Sequence, residues 1–266
     1  MIIDGRQIAE QVLARTKERA ARLTKAPTII GYVLEAQSPA TRSYLNIKKK
    51  SAERAGCMFV ERLDTQPLDA GELGIVQFPT ELSQKEIDAL LPLEQDADVL
   101  STAAREKFVR GEGGALLPPV VAAVAELFEV HHVETKGKRA VVVGAGFLVG
   151  APVAVWLRQK GSEVITLTTE SKSEELAAAL VAADIIVSGA GSPHFIKPEM
   201  LKEGVVLIDA GTSESSGKLA GDADPSCAEK CALFTPVPGG IGPVAVAKLF
   251  ENATILAERN LYFYYS

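Results

Sequence analysis

Between residues 119 and 211 the chain alternates helix-like and strand-like segments with great regularity, and this alternation restricts the possible fold more than any other feature. PVVAAVAELF, LVGAPVAVWLRQ and SEELAAALVAA carry apolar residues at helical spacing, whereas RAVVVGAG, EVITLTT, DIIVSGA and VVLIDAG read as strands. The strand runs are continuously apolar, so both faces of their sheet are covered. Strands separated by helices join through parallel crossovers, which predicts a Rossmann-like, doubly wound parallel α/β domain.

The N-terminal half reads as a second α/β unit. Asp4 is placed to cap a helix running to about Leu23, with Ile8, Val12 and Leu13 on one face. TIIGYVL is a strand. Ser38-Pro39 supplies an N-cap and a first-turn proline for a helix that stops at Gly56. CMFVERL and LGIVQF are the next strands, and 83–91 is a short helix. The Gly- and Pro-rich RGEGGALLPP marks a domain boundary. The expected division is an N-terminal α/β catalytic domain over 1–114 and a Rossmann-like domain over 115–242, with a cleft between them. A helix over 243–258 packs back on the first domain. Residues 259–266 form an aromatic-rich tail resembling a protease-site tag scar.

Charge and composition exclude several functions. A net charge of -6 and a pI near 5.3 give no global attraction for nucleic acid or for an anionic membrane. The longest apolar run, ALLPPVVAAVAELF, is too short and too interrupted to span a bilayer. The N-terminus lacks the pattern of a secretory signal, so a cytoplasmic protein is expected. Cys57, Cys227 and Cys231 suit buried thiols in a reducing compartment. With His131, His132 and His194 they form no metal-ligand pattern, so no metal is expected.

Gly144-Ala145-Gly146-Phe147-Leu148-Val149-Gly150 follows a strand and opens a helix. Gly144 permits the tight turn, Gly146 lets backbone approach a pyrophosphate, and the helix start offers N–H groups and a positive dipole end. The alternative is a glycine turn that binds nothing. The next strand ends at Thr168-Thr169-Glu170. A carboxylate there accepts bonds from an adenosine ribose and repels a 2′-phosphate, favouring NAD over NADP; otherwise Glu170 is a solvated loop charge. Lys172 nearby is able to receive a phosphate.

In the first half, Tyr44 and Lys48 lie four apart on a predicted helix and share a face. The pair alone is common on surface helices. Gln77 sits at the end of an apolar strand, where a polar group needs a partner; Asp98 follows the next short helix. An edge-strand residue and a capped turn are their plainer readings. Thr235-Pro236-Val237-Pro238-Gly239-Gly240-Ile241-Gly242-Pro243 is a rigid loop of the kind that lets backbone approach a ligand.

Taken together, these elements resemble the bifunctional methylenetetrahydrofolate dehydrogenase/methenyltetrahydrofolate cyclohydrolase family, from Asp4-Gly5 to the final helix. TPVPGGIGP matches the family signature almost letter for letter. Tyr44, Lys48, Gln77 and Asp98 match in order, as do Val149-Gly150-Ala151-Pro152, Ile208-Asp209-Ala210-Gly211 and Gly221-Asp222. The resemblance implies a tetrahydrofolate substrate, NADP or NAD as cofactor, and a homodimer. It makes Lys48 the central acid/base of hydrolysis, held by Gln77. Tyr44 packs on the aminobenzoyl ring and Asp98 binds the pterin edge. Pro238, Gly239 and Gly240 line the folate and nicotinamide pocket. Gly144, Ala145, Gly146, Val149, Gly150, Thr169, Glu170, Gly191 and Thr212 hold the dinucleotide.

Several positions depart from the family. The usual helix between CMFVERL and LGIVQF is missing, the family's Lys-Asp-Val-Asp-Gly reads Gln95-Asp96-Ala97-Asp98-Val99, its Gly-Arg/Ala-Ser turn reads Gly144-Ala145-Gly146, and Ala245 replaces a threonine. A single-activity or non-catalytic folate- or dinucleotide-binding relative is the alternative.

Overall fold

The computed structural model describes residues 1–35, 39–168, 170–215 and 218–264. Internal contacts divide the chain into two units: Ala9–Pro119 with Val246–Ser266, hereafter the first unit, and Met1–Ile8 with Val120–Ala245, the second.

Asp4 Oδ1 accepts the N–H groups of Arg6 and Gln7 at 3.0 and 3.2 Å, so helix α1 (Gly5–Ala20) starts at the carboxylate that the sequence marks as its cap. In the first unit, β1 (Thr28–Tyr32), α2 (Pro39–Arg54), β2 (Met58–Arg62) and β3 (Glu72–Val76) follow. Gly56, at φ 72, ends the α2 region. Ser38, read as the cap of α2, lies outside the described residues. The sheet is parallel, in the order β2-β1-β3.

Residues 63–71 therefore cross over β1 with no helix, in less chain than a parallel crossover normally takes. Polar ties replace the missing helix. Tyr32 Oη donates to the Gln66 carbonyl at 2.8 Å, and Arg62 reaches the Pro67 carbonyl at 2.9 Å and Glu72 at 3.0 Å. Helix α3 (Gln84–Leu90) carries a full capping box from Ser83 and Glu86. Helix α4 (Thr102–Val109) is absent from the sequence reading. It buries only Ala104 and Phe108, too few apolar positions to show a period, and Ser101 caps it.

The second unit runs α5 (Pro119–Val130), β4 (Arg139–Val143), α6 (Gly150–Gln159), β5 (Glu163–Leu167), α7 (Ser173–Ala182), β6 (Ile185–Ser188) and β7 (Val205–Asp209). The short hairpin β8 (Ser213–Ser215) and β9 (Lys218–Ala220), then β10 (Cys231–Phe234), complete it. All five strands of the main sheet are parallel, in the order β10-β7-β6-β4-β5. This is the doubly wound sheet that the alternation predicts. The chain moves from β4 to β5 on one side, then returns to β6 on the other side of β4. That reversal is a topological switch point at the carboxyl ends of β4 and β6. The chain start joins the same unit: Ile3 donates to the Phe234 carbonyl at 2.9 Å, and the Met1 amine donates to the Ala232 carbonyl at 3.0 Å.

Helix α8 (Ile241–Tyr264) closes the chain. Its Val246, Leu249, Phe250, Ala253 and Leu256 pack with Val12, Leu13, Ile29, Leu73 and Ile75 in the core of the first unit. The helix continues past residue 258 into the segment read as a tail. There Arg259 donates to the Gly114 carbonyl at 2.7 Å and Asn260 to the Glu94 carbonyl at 3.1 Å. The core of the second unit gathers Val141, Val143, Ile186, Leu207 and Phe234, with Cys227 and Cys231 buried among them. Among the described residues, no helix is long and apolar enough to cross a membrane.

Candidate active site

Helix α2 sets Tyr44 and Lys48 one turn apart on the same side. Tyr44 lies against the core of the first unit, and burial raises its phenol pKa. Lys48 is 8% exposed, although Lys49 and Lys50 beside it are exposed. Its Nζ donates to Gln77 Oε1 at 2.8 Å. Gln77 directly follows β3; its Nε2 donates to the Phe78 carbonyl at 2.6 Å, which fixes which amide atom faces the lysine. The Phe78-Pro79 peptide that follows is cis. Removal from water lowers the Lys48 pKa, and the negative charge of Asp98 partly restores it.

Asp98 completes this group. Burial pushes its carboxyl up to about 6, against the pull of Lys48 and with the repulsion of Asp96. Burial thus shifts the amine down and the carboxyl up, the pattern that marks candidate acid/base groups. The loop around Asp98 is organised by Asp96, a residue to which the sequence reading gives no role. Asp96 is 1% exposed and accepts the N–H groups of Asp98, Leu100 and Ser101 at 3.2, 2.8 and 2.7 Å, and the Ser101 hydroxyl at 2.7 Å. The turn-capping role weighed for Asp98 thus belongs to its neighbour. Val99, at the family's glycine position, has φ 57.

The glycine turn of the second unit sits at the switch point. Gly144 has φ 97, and a Cβ there would lie 2.6 Å from the Gly189 carbonyl oxygen. A Cβ on Gly150 would lie 1.9 Å from the Gly144 oxygen, so this glycine lets α6 close onto the turn. Gly146 differs: a Cβ there would meet no atom within 4 Å. Ala145, Gly146, Phe147 and Leu148 are exposed, and Val149, the residue before α6, gives the helix no side-chain cap. Backbone open to solvent at an uncapped helix start suits a phosphate-bearing ligand.

Glu170 is exposed in the loop after β5, where its N–H donates to Thr168 Oγ1 at 3.3 Å. Thr169 lies outside the described residues. Gly191 follows β6 at φ 69 and is exposed, as is Thr212 just after β7. These positions share the carboxyl end of the sheet with the Gly144 turn. In the proline-glycine loop, Val237-Pro238 is cis, Gly239 has φ 107, and Gly240 donates to the Pro236 carbonyl at 2.7 Å. Gly5 donates to the Gly239 carbonyl at 2.9 Å, and a Cβ on Gly5 would lie 1.7 Å from the Gly240 oxygen. The start of α1 and this loop therefore require each other. Among the described residues, no group of three or more His, Cys, Asp or Glu is placed to hold a metal ion.

The chain is similar to known proteins over nearly its whole length. Residues 118–261 match the family model described as the tetrahydrofolate dehydrogenase/cyclohydrolase, NAD(P)-binding domain. The bifunctional protein FolD of Thermotoga petrophila is 35% identical over 97% of this chain and 99% of its own length. The FolD of Trypanosoma brucei, solved with NADP and an inhibitor, superposes at TM-score 0.90 with 28% identity, covering 98% of both chains. The Campylobacter jejuni FolD, a methylenetetrahydrofolate dehydrogenase/cyclohydrolase, superposes at 0.88 with 25% identity, covering 97% of this chain and 99% of its own. The chain belongs to the tetrahydrofolate dehydrogenase/cyclohydrolase family.

Proposed function

We propose that this protein oxidises 5,10-methylenetetrahydrofolate to 5,10-methenyltetrahydrofolate with NAD(P)+ and hydrolyses the methenyl product to 10-formyltetrahydrofolate. The carrying observation is the buried Lys48 amine held 2.8 Å from Gln77 and under the charge of Asp98. A non-catalytic relative has no use for an amine kept at a burial cost in that setting.

The dinucleotide, when bound, accepts the hydride that leaves the methylene bridge. Its binding falls to the Gly144–Gly150 turn and the loops carrying Glu170, Gly191 and Thr212. The open backbone at Gly146 and the uncapped start of α6 fit a pyrophosphate. Glu170 tilts the choice toward NAD, because a carboxylate at the ribose accepts its hydroxyls and repels a 2′-phosphate.

Lys48 carries the hydrolysis. Its lowered pKa puts a larger neutral fraction at cellular pH, and the neutral amine takes a proton from the water attacking the methenyl carbon. The resulting ammonium returns that proton to the ring nitrogen as its C–N bond breaks, and the hydroxyl on the same carbon loses its proton to solvent as the formyl C=O forms. Gln77 holds the amine in one rotamer through both transfers. Asp98 accepts from the amino-pyrimidine edge of the pterin, and Tyr44 packs on the aminobenzoyl ring. Pro238, Gly239 and Gly240 bring backbone to the folate.

The protein acts as a homodimer in this reading. Strand β2 supports it: β1 covers one of its edges, and Met58 and Val60 on it stay 50% and 44% exposed. The opposite edge of the sheet, at β3, is bridged by the segment around Asp96.

Lys48→Met tests the central claim. Hydrolysis of supplied methenyltetrahydrofolate should fall by about a thousandfold or more, the scale of losing a general acid/base, while NAD(P) binding persists. Hydrolysis at the wild-type rate would remove Lys48 from the mechanism.

A further inference from the structure

The strands of the second unit end in polar groups turned inward. Asp222, fully buried, accepts the Ser188 hydroxyl and the Ala190 N–H on Oδ2, both at 2.7 Å, and the Ser192 N–H on Oδ1 at 2.8 Å. Asp209, 1% exposed at the end of β7, accepts the N–H groups of Gly211, Asp222 and Ala223 at 2.9, 3.1 and 2.8 Å. Its own N–H donates to Thr235 Oγ1 at 2.7 Å. Burying two carboxylates is costly unless their oxygens are satisfied, and here backbone N–H donors converge on both, with the Ser188 hydroxyl added on Asp222. Two side chains thereby hold the residues after β6, after β7 and around 222, while the Asp209 backbone binds Thr235.

The packing leaves this hub no slack. A Cβ on Gly211 would lie 2.6 Å from Asp222 Oδ1, and one on Gly221 would lie 2.1 Å from Asp209 Oδ2. The 188–192 segment also touches the glycine turn: Gly189 lies under Val149, where a Cβ would come within 2.7 Å of Cγ1, and its carbonyl faces Gly144. A shift of this segment therefore shifts the turn.

We infer that Asp222 is a positioning residue for the dinucleotide: it fixes the 188–192 segment against the Gly144 turn, and Asp209 fixes Asp222. This rests on the dehydrogenase reading above. Asparagine has the same shape but offers an NH2 where a carboxylate oxygen accepts, so Asp222→Asn sets donor against donor. Ser188→Ala removes one donor and keeps the carboxylate.

The test uses the full-length protein with NAD and NADP. It measures methylenetetrahydrofolate oxidation at varied dinucleotide, hydrolysis of supplied methenyltetrahydrofolate, and emission from Trp156, the single tryptophan, which lies in the second unit against Phe128. Asp222→Asn should raise the dinucleotide KM about tenfold or more, with kcat changed less than about threefold and hydrolysis retained. Ser188→Ala should raise that KM roughly two- to fivefold. Loss of kcat at unchanged KM, with native Trp156 emission, marks a merely structural residue and overturns the inference. If Asp222→Asn loses native emission, Ser188→Ala decides alone, and an unchanged KM overturns the inference. A wild-type protein that oxidises nothing with either dinucleotide defeats the dehydrogenase reading itself.

Discussion

The two units build their functional surfaces from opposite materials. In the first unit the proposed chemistry rests on side chains: an amide beside a buried amine and a carboxyl whose pKa values are shifted by removal from water. In the second it rests on backbone, exposed by glycines and held in place by carboxylates that face inward. Side-chain sites fail when a functional group is exchanged for one of equal shape. Backbone sites fail when a methyl group is added, whatever its chemistry. The units should therefore respond to different substitutions, and each activity should report on its own unit.

Among backbone substitutions the largest effect is expected at the glycine turn. Gly144→Ala combines a positive φ of 97 with a Cβ 2.6 Å from a carbonyl oxygen. Oxidation at cellular dinucleotide concentration should fall by about a hundredfold or more, while hydrolysis of supplied methenyltetrahydrofolate persists. Gly146→Ala sharpens the point. Its Cβ meets nothing within 4 Å, so thermal stability should not change. Only the dinucleotide KM should rise, because only the ligand comes close. A Gly146→Ala protein with unaltered KM would remove Gly146 from the phosphate site.

An intermediate effect is expected from pH in the first unit. The Asp98 carboxyl lies at about 6, so it is ionised above that pH and takes up a proton as pH falls through it. Protonation removes an acceptor for the pterin edge. The folate KM should therefore rise about tenfold per unit below pH 6, as for one ionisation, and Asp98→Asn should give a raised, pH-independent KM. With Lys48 as the proposed neutral base, kcat for hydrolysis should climb with pH in both proteins. A folate KM that is flat from pH 5 to 8 in the wild type would separate Asp98 from substrate binding.

Much of this comparison was legible in the residues. The second unit's sheet could be read because continuous apolar strands alternate with amphipathic helices. Hairpin β8–β9 and strand β10 could not, since runs as short as Ser213–Ser215 carry no period. Helix α4 escaped for the same reason, with two buried anchors four residues apart. Lys48, Gln77 and Asp98 were found as an ordered set, but no spacing rule shows that a lysine between exposed Asn46, Ile47, Lys49 and Lys50 turns inward. Asp96, Asp209 and Asp222 were harder still. Apart from the Ser101 and Ser188 hydroxyls, their partners are backbone N–H groups, which leave no mark on the identity of the residues that supply them.

The smallest expected effect lies at the border of the two strategies, where a side chain occupies a position suited to glycine. Val99 is 1% exposed yet sits at φ 57, a conformation that β-branched residues rarely adopt. Burial of its side chain contributes roughly 1.5–3 kcal/mol, and the backbone conformation costs about 1–3 kcal/mol. The two nearly cancel, which explains how valine persists next to Asp98. Val99→Gly gives up the burial and relieves the strain, so unfolding free energy should change by about 1 kcal/mol or less. Val142→Gly, at a fully buried position in β4 with ordinary backbone, has no strain to relieve and should cost about 3 kcal/mol or more. Denaturant unfolding of the two variants measures the difference directly. Equal losses would mean that Val99 is unstrained and that the turn beside Asp98 is set by Asp96 alone.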